Sequence, residues 1–312
     1  MLSHSKLLSF IELAKGIINK LPRYNSKFSN RIYDNHQQIV IIVFKQKLKL
    51  TYRGVIEFLE SNKEARRIIG LKRIPDHSTL IKFLKRISAS LLDSLLAIKE
   101  AEIIAIDSTG FETESMSYYY RTIHNEVKPR RHYAKLSIAI DAEKQLVLSQ
   151  KVRRGPRNDN VDFKSVLKNL SAKFVVADKG YDSRENRYFV LRKLKAYPHI
   201  PRRIISGATY ERAGVKLKFD ENIYHQRSKV ESVFSAIKRK YGSIIRSRSF
   251  SQQKKEIICR LIAYNLDRQI ILSSLLIIGF QQSSRKIILY TLFSYVFYGK
   301  TRKNSRSCNK LL

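Results

Sequence analysis

Tyr224, Arg227, Glu231 and Lys238 stand in the stretch YHQRSKVESVFSAIKRK at the offsets Y-x2-R-x3-E-x6-K. At 100° per residue these positions share an arc of about 60° on a helix, so one carboxylate lies among two cations and a phenol. Val230, Val233, Phe234 and Ile237 lie beside that stripe, which predicts a helix with one flank in a core. A solvated ion-pair face uses the same spacings. The stripe gains chemical meaning only if carboxylates from elsewhere in the chain meet it.

Two have the right context. EIIAIDSTG and KFVVADKGYDS place Asp107 and Asp178 directly after short apolar, β-branched runs that end in Gly-containing turns. Such runs predict strand ends. An acid at the end of a buried strand is costly unless it is paired or bound to a metal. Asp107, Asp178 and Glu231 can together hold two divalent cations about 3.5–4 Å apart, as nucleases and polymerases do for in-line phosphoryl displacement. Hard carboxylate oxygens favour Mg²⁺ or Mn²⁺.

On these residues the chain resembles the DDE transposases of bacterial and archaeal insertion sequences, in the group with the Y-x2-R-x3-E-x6-K signature. The resemblance runs from about Tyr52 to Asn265 and includes AIDSTG, ADKGYDS and the full signature. Intervals of 71 residues from Asp107 to Asp178 and 53 from Asp178 to Glu231 leave no room for a large insertion domain before the Glu helix. The resemblance implies an RNase H-like catalytic domain, with Asp107, Asp178 and Glu231 as catalytic metal ligands for two Mg²⁺ (or Mn²⁺) ions. It implies cleavage and strand transfer at terminal inverted repeats, on double-stranded DNA, by a homo-oligomer in a prokaryotic cytoplasm, with no membrane association. Arg227 and Lys238 would contact phosphates, and Tyr224 would pack near the DNA. A catalytically inactive DNA-binding relative is the alternative; the intact triad argues against it and the unusual C-terminus for it.

Composition agrees with a polyanionic partner. The 312 residues carry a formal charge of +35, and 43% are hydrophobic, enough for a large domain and a smaller one. Basic residues outnumber acidic ones by 19 to 8 over residues 1–100, 19 to 12 over 101–200 and 23 to 6 over 201–312. Charge alone indicates nucleic-acid binding and not catalysis. Cys259 and Cys308 make no disulfide framework and lack a C-x-x-C partner, which fits a reducing compartment. The N-terminal KLLSFIELAKGIINKL has a helical period broken by Glu12 and Lys15, unlike a secretory segment.

Three regions are expected. Residues 1–100 read as helices, with Asp76 and Ser78 as capping residues before a helix bordered by Lys72, Arg73, Lys82, Lys85 and Arg86. A helix-turn-helix-like DNA reader and a bundle packed on the catalytic domain both account for this region. Residues 101–265 read as an α/β domain: three antiparallel strands, then helices alternating with parallel strands, giving a mixed five-stranded sheet flanked by helices. Its last helix is expected to end near Tyr264, Asn265 and Leu266. Residues 266–312 hold the apolar runs ILSSLLIIGF and IILYTLFSYVFY and a basic tail. Each run is short of the ~20 residues that span a bilayer. They read as core-capping helices, with a reading-frame change near the end of a decaying element as the alternative.

Among the remaining candidates, Asp141 follows an apolar run, but an antiparallel partner strand would end at the opposite edge of the sheet. It is therefore a hairpin-turn residue. Asp182 reads as a helix cap, and Asp159 and Asp162 as residues opening the next helix. Ser108 has no adjacent His to make it a nucleophile. Lys128, Arg130 and Arg131 in one loop, beside His124 and His132, and Arg202 and Arg203 in another, are expected to contact DNA phosphates.

Overall fold

The computed structural model describes residues 6–29, 31–96, 98–113, 133–155, 158–202 and 220–282. Residues through Ile270 form one compact unit, and a second begins at Ile271. The N-terminal part is helical, as predicted. Helix α1 (Lys6–Ile18) buries Phe10, Ile11, Ala14 and Ile18, one stripe at helical spacing. In α2 (Asn35–Lys47) the run IVIIVF is buried on every side. Its start is a capping box: Asp34 accepts the Gln37 N–H, and the Gln37 side chain accepts the Asp34 N–H. Then come α3 (Tyr52–Ser61), α4 (Lys63–Ile69), α5 (His77–Arg86) and α6 (Ala89–Asp93). Asp76 caps α5, accepting the Ser78 N–H at 2.8 Å.

Strands β1 (Glu100–Thr113), β2 (Tyr133–Asp141) and β3 (Val147–Arg154) form an antiparallel meander. β4 (Ser171–Ala177) pairs parallel with β1, and β5 (Tyr197–His199) parallel with β4. The order β3-β2-β1-β4-β5 is the RNase H-like one expected from the sequence. A two-residue strand, β6 (Ile244–Ile245), also pairs with the end of β1; it is too short to leave a periodic signal. α7 (Asn160–Leu167) and α8 (Arg184–Tyr188, continued by a π turn over Phe189–Lys193) are the crossovers.

Strand alternation assigns the two faces of the sheet. Ile104, Ile106 and Ala177 pack with Phe163 and Val166 of α7. Ala105, Phe111 and Val176 pack on the other face, in the core that also holds α10 (Ser228–Tyr241), α11 (Phe250–Gln282) and the N-terminal helices. That core is continuous from Phe10 to Leu266. Buried polar links reinforce it. Asp267 of α11 accepts from Lys47 of α2 and from the Tyr241 hydroxyl of α10, each at 2.6 Å. Lys255 donates to the carbonyls of Leu84 and Lys85 at the end of α5.

Three expectations are corrected. β1 does not end at Asp107: Ser108 to Glu112 stay paired with β2 through the expected turn, so the strand runs on to Thr113 and Asp107 lies in its middle. The signature is not one unbroken helix: Tyr224 lies on α9 (Glu221–His225), and Glu231 and Lys238 on α10. Between them, Arg227, Lys229 and Val230 donate to carbonyls three residues back, so the junction is a tightened turn. The following helix also runs well past Leu266, to Gln282. No proline interrupts it and Gly279 alone is a weak breaker, so nothing in the sequence stops it at 266. Among the described residues no helix is long and apolar enough to cross a membrane. The second apolar run and the basic tail lie outside the described residues.

Candidate active site

Parity decides where the strand acids point. Ala105 of β1 and Val176 of β4 face α10, so Asp107 and Asp178, two residues further along extended backbone, face it too. The parallel register pairs Ile106 with Ala177, which sets the two acids side by side where β4 ends against the middle of β1. Each accepts the N–H of the next residue: Asp107, in mid-strand, that of Ser108 at 2.8 Å, and Asp178, opening the turn after β4, that of Lys179 at 2.7 Å. Asp141 pairs with Ile104, at the other end of β1. It accepts the N–H groups of Glu143 and Lys144, as a hairpin-turn residue does.

Glu231 comes to this face because α10 buries its apolar flank. Val230, Val233 and Ile237 are fully buried. At about 1.5–3 kcal/mol per side chain they contribute at most roughly 5–9 kcal/mol, against at most about 1 kcal/mol for an exposed ion pair. Apolar packing therefore positions the helix, and the charged stripe is carried with it. Arg227 stands between the acids, 2.8 Å from Glu231 and 3.9 Å from Asp107. Burial works against its charge, but Glu231, Tyr224, Asp178 and Asp107 raise its pKa above the ordinary value. Burial also raises the Asp107 carboxyl, with Asp159 and Glu231 adding to the effect and the Ser108 N–H and Arg227 opposing it.

The donors are all hard carboxylate oxygens, and their mutual repulsion already draws a cation, the Arg227 guanidinium. In charge and donor type the set fits a divalent ion. Among the described residues no three acidic, His or Cys side chains stand at mutual ligand spacing, and Glu231 is paired with Arg227.

Lys238 does not point freely outward. Its Nζ donates to Thr109 Oγ1 of β1 at 2.7 Å and lies over the Phe111 ring. Burial lowers its pKa, with Glu112 opposing. Lys238 thereby fixes α10 to the strand carrying Asp107. A double-mutant cycle of Lys238→Met and Thr109→Val in urea unfolding is expected to give a coupling of about 1 kcal/mol. Additive effects would mean the contact holds nothing. Tyr224 is half-buried, with its ring against His225.

On the opposite face of the sheet lies a network the sequence did not disclose. Ser108 donates to Asp159, which also pairs with Lys135. Asp162, almost fully buried, accepts from Ser137 and pairs with Arg153. Asp159 and Asp162 sit at the start of α7 as expected, but Asp159 makes no side-chain capping bond there. They fasten α7 to β1–β3, a tie visible only once Ser108, Ser137 and Lys135 share a face. Asp182 is not the cap of α8: Ser183 accepts the Asn186 N–H, and Asp182 pairs with Arg187 at 2.8 Å. Arg202 is exposed. Lys128, Arg130, Arg131 and Arg203 lie outside the described residues.

The sequence matches the family described as Transposase DDE domain over residues 98–266. No curated protein matches it. Among solved structures, it is similar to a cryo-EM structure of the piggyBac transposase synaptic complex with hairpin DNA. That match has 11% identity and a TM-score of 0.43, and covers 85% of this chain and 72% of that one.

Proposed function

The chain belongs to the transposase DDE-domain family, and from that premise we propose that it cuts and joins DNA at the terminal inverted repeats of an insertion sequence. The observation that carries the reading is that Asp107 and Asp178, from adjacent parallel strands, share the face of the sheet on which α10, the helix bearing Glu231, packs. These three residues would hold two Mg²⁺ or Mn²⁺ ions. Such ions, when bound, activate a water or a DNA 3′-hydroxyl and stabilise the leaving oxygen.

The protein's own groups position the DNA. Arg227, released from its carboxylates, neutralises a phosphate next to the scissile bond. Lys238 keeps Glu231 in register with Asp107 through Thr109. Tyr224 packs beside the substrate, and Lys128, Arg130, Arg131, Arg202 and Arg203 track the backbone. Residues 1–100 contribute DNA binding, and the protein works as a homo-oligomer on DNA.

The test is strand cleavage of duplex DNA taken from the flanks of the gene. Mg²⁺ and Mn²⁺ are expected to support nicking at a defined position, Ca²⁺ to allow binding without nicking, and chelation to stop it. Cleavage that survives exhaustive chelation refutes the mechanism. Binding without cleavage in Mg²⁺ or Mn²⁺ identifies an inactive DNA-binding relative.

A further inference from the structure

A second concentration of charge lies on the N-terminal helices. Lys63, Arg66 and Arg67 of α4, with Lys72 and Arg73 of the following loop, line an open cleft of about 530 Å³. Glu64 pairs with Arg67 at 2.6 Å. Among the described residues, Lys63, Arg66, Lys72 and Arg73 have no carboxylate partner.

The backbone beneath these side chains is held from behind. Lys15 donates to the Ile68 carbonyl at 2.8 Å, Gln37 to that of Gly70 at 2.6 Å, and the Tyr33 hydroxyl to that of Ile74 at 3.0 Å. Gly70, at φ +81°, turns the chain out of α4 so that helix and loop become the two walls. Helix and loop thus present their cations to one cleft, where an anion spanning it would relieve their repulsion.

The form of the cleft selects the anion. A small anion is captured by buried, convergent donors, whereas these cations are solvent-accessible and spread over two segments. That distribution suits consecutive phosphates. Base reading calls for side chains presented by a helix inserted in the major groove. Here the seven-residue α4 shares its cations with a loop. We propose that the cleft is a sequence-independent clamp on the sugar–phosphate backbone of duplex DNA, built from Lys63, Arg66, Lys72 and Arg73 and sharing no residue with the carboxylate site. The identity of the polyanion rests on the transposase reading.

The test compares full-length wild type with a neutralised variant (K63Q, R66Q, K72Q and R73Q together) and a charge-keeping one (K63R, R66K, K72R and R73K). Affinity is measured by fluorescence anisotropy against salt on two duplexes of equal length, one from the gene's flank and one with that sequence shuffled. Neutralisation is expected to weaken both duplexes by the same factor. The slope of log affinity against log salt should become shallower by roughly 0.9 per contact, about 3.6 in all. The charge-keeping variant is expected to retain the wild-type slope. An unchanged slope in the neutralised variant overturns the clamp, as does a loss confined to the flanking duplex, which would mark a base reader. Equal loss in both variants overturns it too, since shape and not charge would then be at issue. Wild-type cleavage in Mg²⁺ is scored on the same duplexes. If that fails while the slope change holds, the transposase chemistry falls and the clamp stands.

Discussion

Asp107→Asn, Asp178→Asn and Glu231→Gln are each expected to lower single-turnover strand cleavage by about a thousandfold or more while leaving DNA affinity within a few-fold. Each exchange keeps shape and removes one negative charge from a donor set whose ions would supply several kcal/mol of transition-state stabilisation, and about 1.4 kcal/mol is tenfold in rate. Asp141→Asn is the control and stays active, since Asp141 serves the hairpin at the other end of β1. Near-wild-type cleavage by any one of the three removes that residue from the site.

Asp107 also makes stability depend on pH. Its pKa is raised in the folded state, chiefly by burial. The protonated carboxyl therefore favours the fold below the unfolded value, and that contribution is lost as pH rises through the folded one. At neutral pH, in chelator, Asp107→Asn is expected to unfold at higher urea than wild type, and the gain should vanish in acid. A destabilised Asp107→Asn at neutral pH would show that its pairing with Arg227 outweighs its burial.

Glu256→Gln is expected to destabilise the fold by about 3–5 kcal/mol, the range for breaking a buried ion pair from one side. Glu256 and Arg260 of α11 pair at 2.6 Å with side chains only 6% and 4% exposed. Arg260 also donates to the carbonyls of Gly242 and Ile244, and Glu256 accepts the N–H groups of Arg246 and Ser247. The pair therefore seals the turn that ends α10 and holds β6 against β1. The exchange strands the guanidinium without a counter-charge beside the buried Lys45. Replacing both partners with apolar residues should recover much of the loss. Urea unfolding measures both variants, and an unchanged midpoint for Glu256→Gln would make the pair a passive feature of the core.

Most of the elements and the chemical inventory are legible in local sequence signals. Ile and Val runs before Asp107 and Asp178 specify strands, and Val230, Val233 and Ile237 give α10 its buried flank. These are local signals, because period and propensity act between residues a few positions apart. A charge of +35 likewise needs no fold to indicate a polyanionic partner.

What the tertiary structure decided is which groups meet. The pairing of Ile106 with Ala177, 71 residues apart, puts Asp107 and Asp178 on the face of α10; a slip of one residue would send one of them to the face of α7. The same alternation sends Ser108 to Asp159 and Thr109 to Lys238, contacts spanning 51 and 129 residues. It also leaves Arg227 between Asp107 and Glu231, where the helical wheel showed only a neighbour on a stripe. Nor could periodicity join Lys63 and Arg66 to Lys72 and Arg73, because the left-handed turn at Gly70 and three hydrogen bonds from α1, α2 and Tyr33 bring those walls together. Register and long-range hydrogen bonds join residues too distant in sequence to leave any periodic trace, so only the fold could disclose them.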